Sequence, residues 1–192
     1  MLRGGNALRA LSGLTGSMTS PAPGTFKSFL SSIKSPALRA IAEHWQEARG
    51  TRRMPSWSAF GSRDLSPHFK LLWGYRYDLE TGQFTGHLAG NKLRKWVEPS
   101  FCGGRLQDQT TRSIYEDVRQ YLTKIVTTPL AGRSSGRLFT VGDFAVPGER
   151  IALPMATDGK TGDGIFGASD YVSPPLLGPA ELVHENVEWY TI

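Results

Sequence analysis

The sequence predicts an α+β domain, on three observations. Phe69, Leu71, Trp73, Tyr75 and Tyr77 alternate with Lys70, Leu72, Gly74, Arg76 and Asp78, the period-two pattern of a strand with one mostly aromatic face. Two segments, 35–50 and 111–126, carry apolar residues at helical spacing. Three more strand-like stretches follow the second of them, at about 136–146, 150–157 and 164–171. Two strands, helices and then three strands therefore make up the core order.

The chain has 192 residues and a net charge of +5, and that charge is unevenly placed. Residues 1–42 hold five bases (Arg3, Arg9, Lys27, Lys34, Arg39) and no acid, whereas the other 17 of the 22 bases face all 17 acids. The folded part is thus electrically balanced, which removes the main support for a nucleic-acid partner. Residues 1–34, rich in Gly, Ser and Ala, read as a disordered basic tail or an over-extended start, with organellar transit targeting as the alternative. No run approaches the roughly 18 apolar residues of a spanning helix. Cys102 is the only cysteine, so no intramolecular disulfide can form, and the chain suits a reducing cytoplasm.

The first helix opens at Ser35, a good N-cap, with Pro36 in the first helical position. Leu38, Ile41, Ala42, Trp45 and Ala48 form its stripe, and Gly50 stops it. This lead helix should pack outside the sheet or against a second subunit, so Leu38, Ile41 and Trp45 are candidate interaction residues and a homodimer through them is one expected partner. Arg52-Arg53-Met54-Pro55 is an extended link, because a residue before proline avoids helical angles. Leu79-Glu80-Thr81-Gly82 turns the first strand back into a second with Phe84, Gly86 and Leu88. A short helix at 91–97 carries Leu93 and Trp96 on one side and ends before Pro99. The long helix is capped by Thr110 or Thr111, with Ile114, Val118, Tyr121, Leu122 and Ile125 on one stripe. Asp158-Gly159-Lys160-Thr161-Gly162 joins the last two strands as a hairpin loop. Residues 173–192, which begin Ser173-Pro174-Pro175, leave the domain as a tail that docks on it or on a partner, as a short helix.

Taken in series, several of these pieces resemble a small PAS-type sensory domain of the alphaproteobacterial kind. They are the helix with Trp45 and Arg49-Gly50, the link Arg53-Met54-Pro55, the strand entered through Pro67-His68-Phe69, and Leu88-Ala89-Gly90-Asn91-Lys92-Leu93 at the hairpin's end. The resemblance covers roughly residues 35–172. His87 stands where such domains more often carry arginine, so any role of that arginine does not transfer. The resemblance implies one five-stranded antiparallel sheet with helices on one face, and a ligand place between sheet and helices. Haem sensors of this fold often draw an axial histidine from the central helix, and 111–126 contains none.

No catalytic or metal motif stands out. His44, His68, His87 and His184 lie on different elements with no ligand-like spacing, and no acid pairs with a nucleophile or base at a diagnostic distance. Phe101-Cys102-Gly103-Gly104-Arg105 differs from the flavin-photosensor pattern by two intervening glycines. The glycines of 159–164 lie between strands and open no helix, so a phosphate cradle is not supported. The residues name no cofactor. A cavity would be lined by Trp73, Leu93, Trp96, Ile114, Val118, Phe139, Leu153 and Phe166, with Tyr75, Tyr121 or His87 as a polar handle; a filled core is the competing expectation. The functional expectation is a non-enzymatic sensory domain that binds a small molecule, a signalling partner, or both. The alternative is a structural adaptor with a filled core.

Overall fold

A computed structural model describes residues 22–59, 65–94, 101–172 and 180–192. Its frame is one seven-stranded sheet in which every pairing between strands is antiparallel. The strands are β1 (Leu72–Tyr77), β2 (Phe84–Ala89), β3 (Leu130–Val141), β4 (Phe144–Met155), β5 (Gly164–Tyr171), β6 (Ala180–Leu182) and β7 (Val187–Thr191). They lie in the order β2-β1-β5-β4-β3, with β6 and β7 both on the outer edge of β3, at its opposite ends. The helices are α1 (Phe26–Ser32), α2 (Pro36–Arg49), α3 (Asn91–Arg94), α4 (Leu106–Gln109) and α5 (Arg112–Thr127), with 3-10 turns at Trp57–Ala59 and Ser66–Leu71. Among the described residues no helix is long and apolar enough to cross a membrane.

The class is α+β, but the sheet has seven strands where five were expected, and helices cover both of its faces. On one face α1 and α2 bury Phe29, Ile33, Leu38, Ile41 and Trp45 against Ala131, Ile151, Leu153, Phe166 and Ala168. On the other, α5 packs Val118, Tyr121, Leu122 and Ile125 against Trp73, Ala152 and Ile165. Double coverage explains why 150–156 and 164–169 are buried without a break, where a half-exposed strand would alternate.

The lead helix forms as read. The Ser35 hydroxyl accepts from the Leu38 amide at 3.3 Å, and Gly50 closes the helix at φ 54°. Leu38, Ile41 and Trp45 are each 0 % exposed, inside their own domain. Their stripe is therefore not a dimer interface: roughly 1.5–3 kcal/mol of burial per side chain already goes into the sheet. The Trp45 indole also donates to the Pro154 carbonyl at 3.1 Å.

The boundary at residue 35 moves. Phe26, Phe29 and Ile33 belong to the core, and Gly24 bridges Tyr190, so the fold reaches back to Gly24; residues 1–21 lie outside the described residues. The expected tail packs on its own domain, but as β6 and β7 rather than a helix. At the other end of the hairpin, Phe69 sits in a 3-10 turn and is 44 % exposed, so the first strand starts only at Leu72. The expected strand at 136–146 also divides, because Gly142 and Asp143 form the turn between two 12-residue strands. β5 covers the expected 164–171.

Glu149 ties the connection between α1 and α2 to the sheet. Its carboxylate accepts from the Lys34 amide (3.0 Å) and the Ser35 amide (2.7 Å) at the start of α2, and from Arg133 Nε at 2.6 Å. Arg133 also donates to Glu188 at 2.6 Å. Burial disfavours the Glu188 carboxylate, yet hydrogen bonds from Arg133 and Tyr190 hold it below the ordinary carboxylate range.

Candidate functional site

Residues 149 and 150 point to opposite faces of β4, as neighbours in a strand must. Glu149 joins the α1–α2 face with its arginine partner. Arg150 falls on the α5 face, in register with Ser134 of β3 on one side and Ser169 of β5 on the other. Arg150 is 2 % exposed.

Its surroundings are those of a cation without a counter-ion among the described residues. Nε donates to Ser169 Oγ at 3.1 Å, and that oxygen also accepts from the Trp73 indole at 3.0 Å. Nη1 and Nη2 reach the Val183 and Leu138 carbonyls only at 3.4 and 3.5 Å, the long limit of hydrogen bonding. The guanidinium carbon stands 5.0 Å from the centre of the Phe139 ring. Among the described residues no carboxylate pairs with it, in contrast to Arg133, which bonds two. Burial pulls the Arg150 pKa down to about 10, against the opposing influence of Tyr121, Tyr171 and Tyr75.

Further polar atoms are buried around it. Tyr121 Oη and Ser134 Oγ have only each other as polar neighbours, and both ring nitrogens of His184 have no hydrogen-bond partner among the described residues. The Tyr121 and His184 rings stack with centroids 4.1 Å apart, and the Val183 carbonyl next to His184 is the one that Arg150 reaches. Burial pushes the Tyr121 and Tyr75 hydroxyls up, with the Arg150 charge opposing in both. Tyr75 is anchored by donating to Gln109 Oε1 at 3.1 Å. Native interiors rarely leave such atoms unsatisfied; water or a ligand completes them.

Two glycines let the aromatic walls lie on the sheet. A Cβ at Gly132 would stand 2.7 Å from Tyr121 Oη, and one at Gly167 would collide with the Trp73 indole. Both positions share the face of Arg150 by the pairings Gly132 with Ala152 and Ala152 with Gly167.

Of the expected lining, Trp73, Tyr75, Val118, Tyr121 and Phe139 do come together on this face, and Ile114 is half-buried on α5. His87 does not join them: it is exposed and meets Trp57 edge-on at 4.6 Å, on the side of Phe166. Leu153 and Phe166 belong to the α1–α2 face, because residues of opposite strand parity cannot share the face of Arg150. Trp96 and the side chain of Leu93 lie outside the described residues. Sequence reasoning missed Arg150, Ser134, Ser169 and His184. The one available signal was an arginine opening the apolar run Ile151-Ala152-Leu153.

His184 makes the site sensitive to acid. Burial, then the Arg150 charge, lowers its pKa from 6.5 to about 3. The unfolded chain therefore binds one more proton than the folded one between those values. Stability is full above about pH 6.5 and falls as pH drops toward 3, by up to about 1.4 kcal/mol per pH unit. His184→Gln should flatten that limb, which urea unfolding at pH 7 and pH 5 would show; equal losses in both proteins would contradict it.

Comparison with protein-family models, with curated proteins and with solved structures gave no match, so the chemistry of this site is read from its own residues.

Proposed function

We propose that this chain is a non-enzymatic regulatory domain of PAS-like fold. It holds a small molecule between the sheet and α5 and passes its occupancy to a signalling partner. The fold part of this reading draws on two strands, intervening helices and three strands in one antiparallel sheet, with a long helix across one face. The observation that carries the ligand part is Arg150, a buried cation with no carboxylate paired to it among the described residues, set beside the unpartnered ring nitrogens of His184 and the hydroxyls of Tyr121 and Ser134. An interior charge of this kind costs several kcal/mol unless something neutralises it. Val183 and His184 wall the site and lead into β7, which makes the C-terminal segment the natural route to a partner.

A second reading, the structural adaptor with a filled core, draws on the Trp73 and Tyr121 rings lying directly over Gly167 and Gly132. Native mass spectrometry of freshly purified full-length protein, set against its denatured mass, separates the two. The ligand reading expects an added mass lost on denaturation. A bare protein that gains no mass from a small-molecule cell extract would favour the adaptor.

A further inference from the structure

The groups that await a partner on the α5 face can all donate a hydrogen bond. Arg150 can only donate, and its outer nitrogens have only long contacts. Tyr121 Oη and Ser134 Oγ share at most one hydrogen bond with each other, which leaves one hydroxyl proton without an acceptor, and neutral His184 has a proton to give and no acceptor among the described residues. Water would satisfy the hydroxyls and leave the charge uncompensated. An acceptor-rich anion satisfies both at once.

We propose that the occupant is a carboxylate with an apolar body, its carboxyl group seated against Arg150 within reach of Tyr121, Ser134 and His184. This rests on the reading of the interior as a ligand site. One guanidinium matches one negative charge, whereas a phosphate dianion would bring a surplus charge into the interior. A guanidinium fork offers paired N–H groups that fit a carboxylate's two oxygens. The walls on either side, Trp73, Val118 and Phe139, offer the body apolar and aromatic surface.

The test is a thermal-shift and calorimetric titration of the full chain at pH 7 with acetate, benzoate and octanoate. Benzamide serves as a neutral match for benzoate, and inorganic phosphate as a second anion. At least one carboxylate should raise the melting temperature in a concentration-dependent way, with benzamide and phosphate silent. Arg150→Met should weaken that carboxylate about tenfold or more, and Tyr121→Phe, which leaves the guanidinium in place, by about two- to tenfold. Benzamide binding as well as benzoate would overturn the anion assignment and leave the ligand site standing. A response to phosphate alone would overturn the carboxylate. Silence of every probe, together with a bare native mass, would remove the ligand site itself.

Discussion

Arg150→Met should make the ligand-free protein more stable, by about 1–4 kcal/mol. The guanidinium is buried, its pKa is depressed by that burial, and no described carboxylate compensates it. Methionine has similar length and fills irregular apolar space well. The groups that Arg150 touches mostly keep other partners: Ser169 Oγ still accepts from Trp73, and the Leu138 carbonyl still accepts from the Val183 amide at 2.9 Å. In a domain of this size each kcal/mol moves the melting temperature by about 2–4 °C, which thermal or urea unfolding resolves. A loss of stability instead would mean that Arg150 is a structural residue and not a binding one. A gain in stability is what a residue kept for binding at a cost to the fold would show.

Glu149→Ala should do the opposite, one residue away, and cost about 3–5 kcal/mol. The side chains of Arg133 and Glu149 are only 6 % and 9 % exposed, so removing the carboxylate leaves a buried cation whose remaining partner, Glu188, is about half exposed. It also frees the Lys34 and Ser35 amides at the start of α2, which the helix itself cannot satisfy. Glu149→Gln, which keeps an acceptor oxygen there, should recover part of the loss. Chemical denaturation of the three proteins checks this. If alanine and wild type unfold at the same denaturant concentration, the network does not hold α2 to the sheet.

The contrast between 149 and 150 shows where reading the sequence stops. Glu and Arg side by side look like a local ion pair, yet strand geometry sends them to opposite layers. Which arginine is neutralised depends on Arg133, 16 residues away, and Glu188, 39 residues away. In the same way, the alternation that placed His87, Leu153 and Phe166 with Trp73 needed the parity of each strand, and only the cross-strand register supplies that. The lead helix was legible because its signals are local: Ser35, Pro36, the apolar stripe and Gly50 sit within one segment. β5 and α5 were legible for the same reason.

Other elements carried no local mark. α1 lies in a basic, Gly- and Ser-rich stretch, and its Phe26, Phe29 and Ile33 become a core only where α2 and the sheet meet them. β6 and β7 are short segments whose strand character comes from the edge of β3. By itself, the sequence determined the α+β class, the lead and central helices and the strand at 164–171, because capping and periodicity act within a few residues. The tertiary structure alone decided that both faces are covered, that the lead helix's stripe is internal, and that Arg150 sits buried apart from every described carboxylate, because burial and charge pairing depend on residues that only folding brings together.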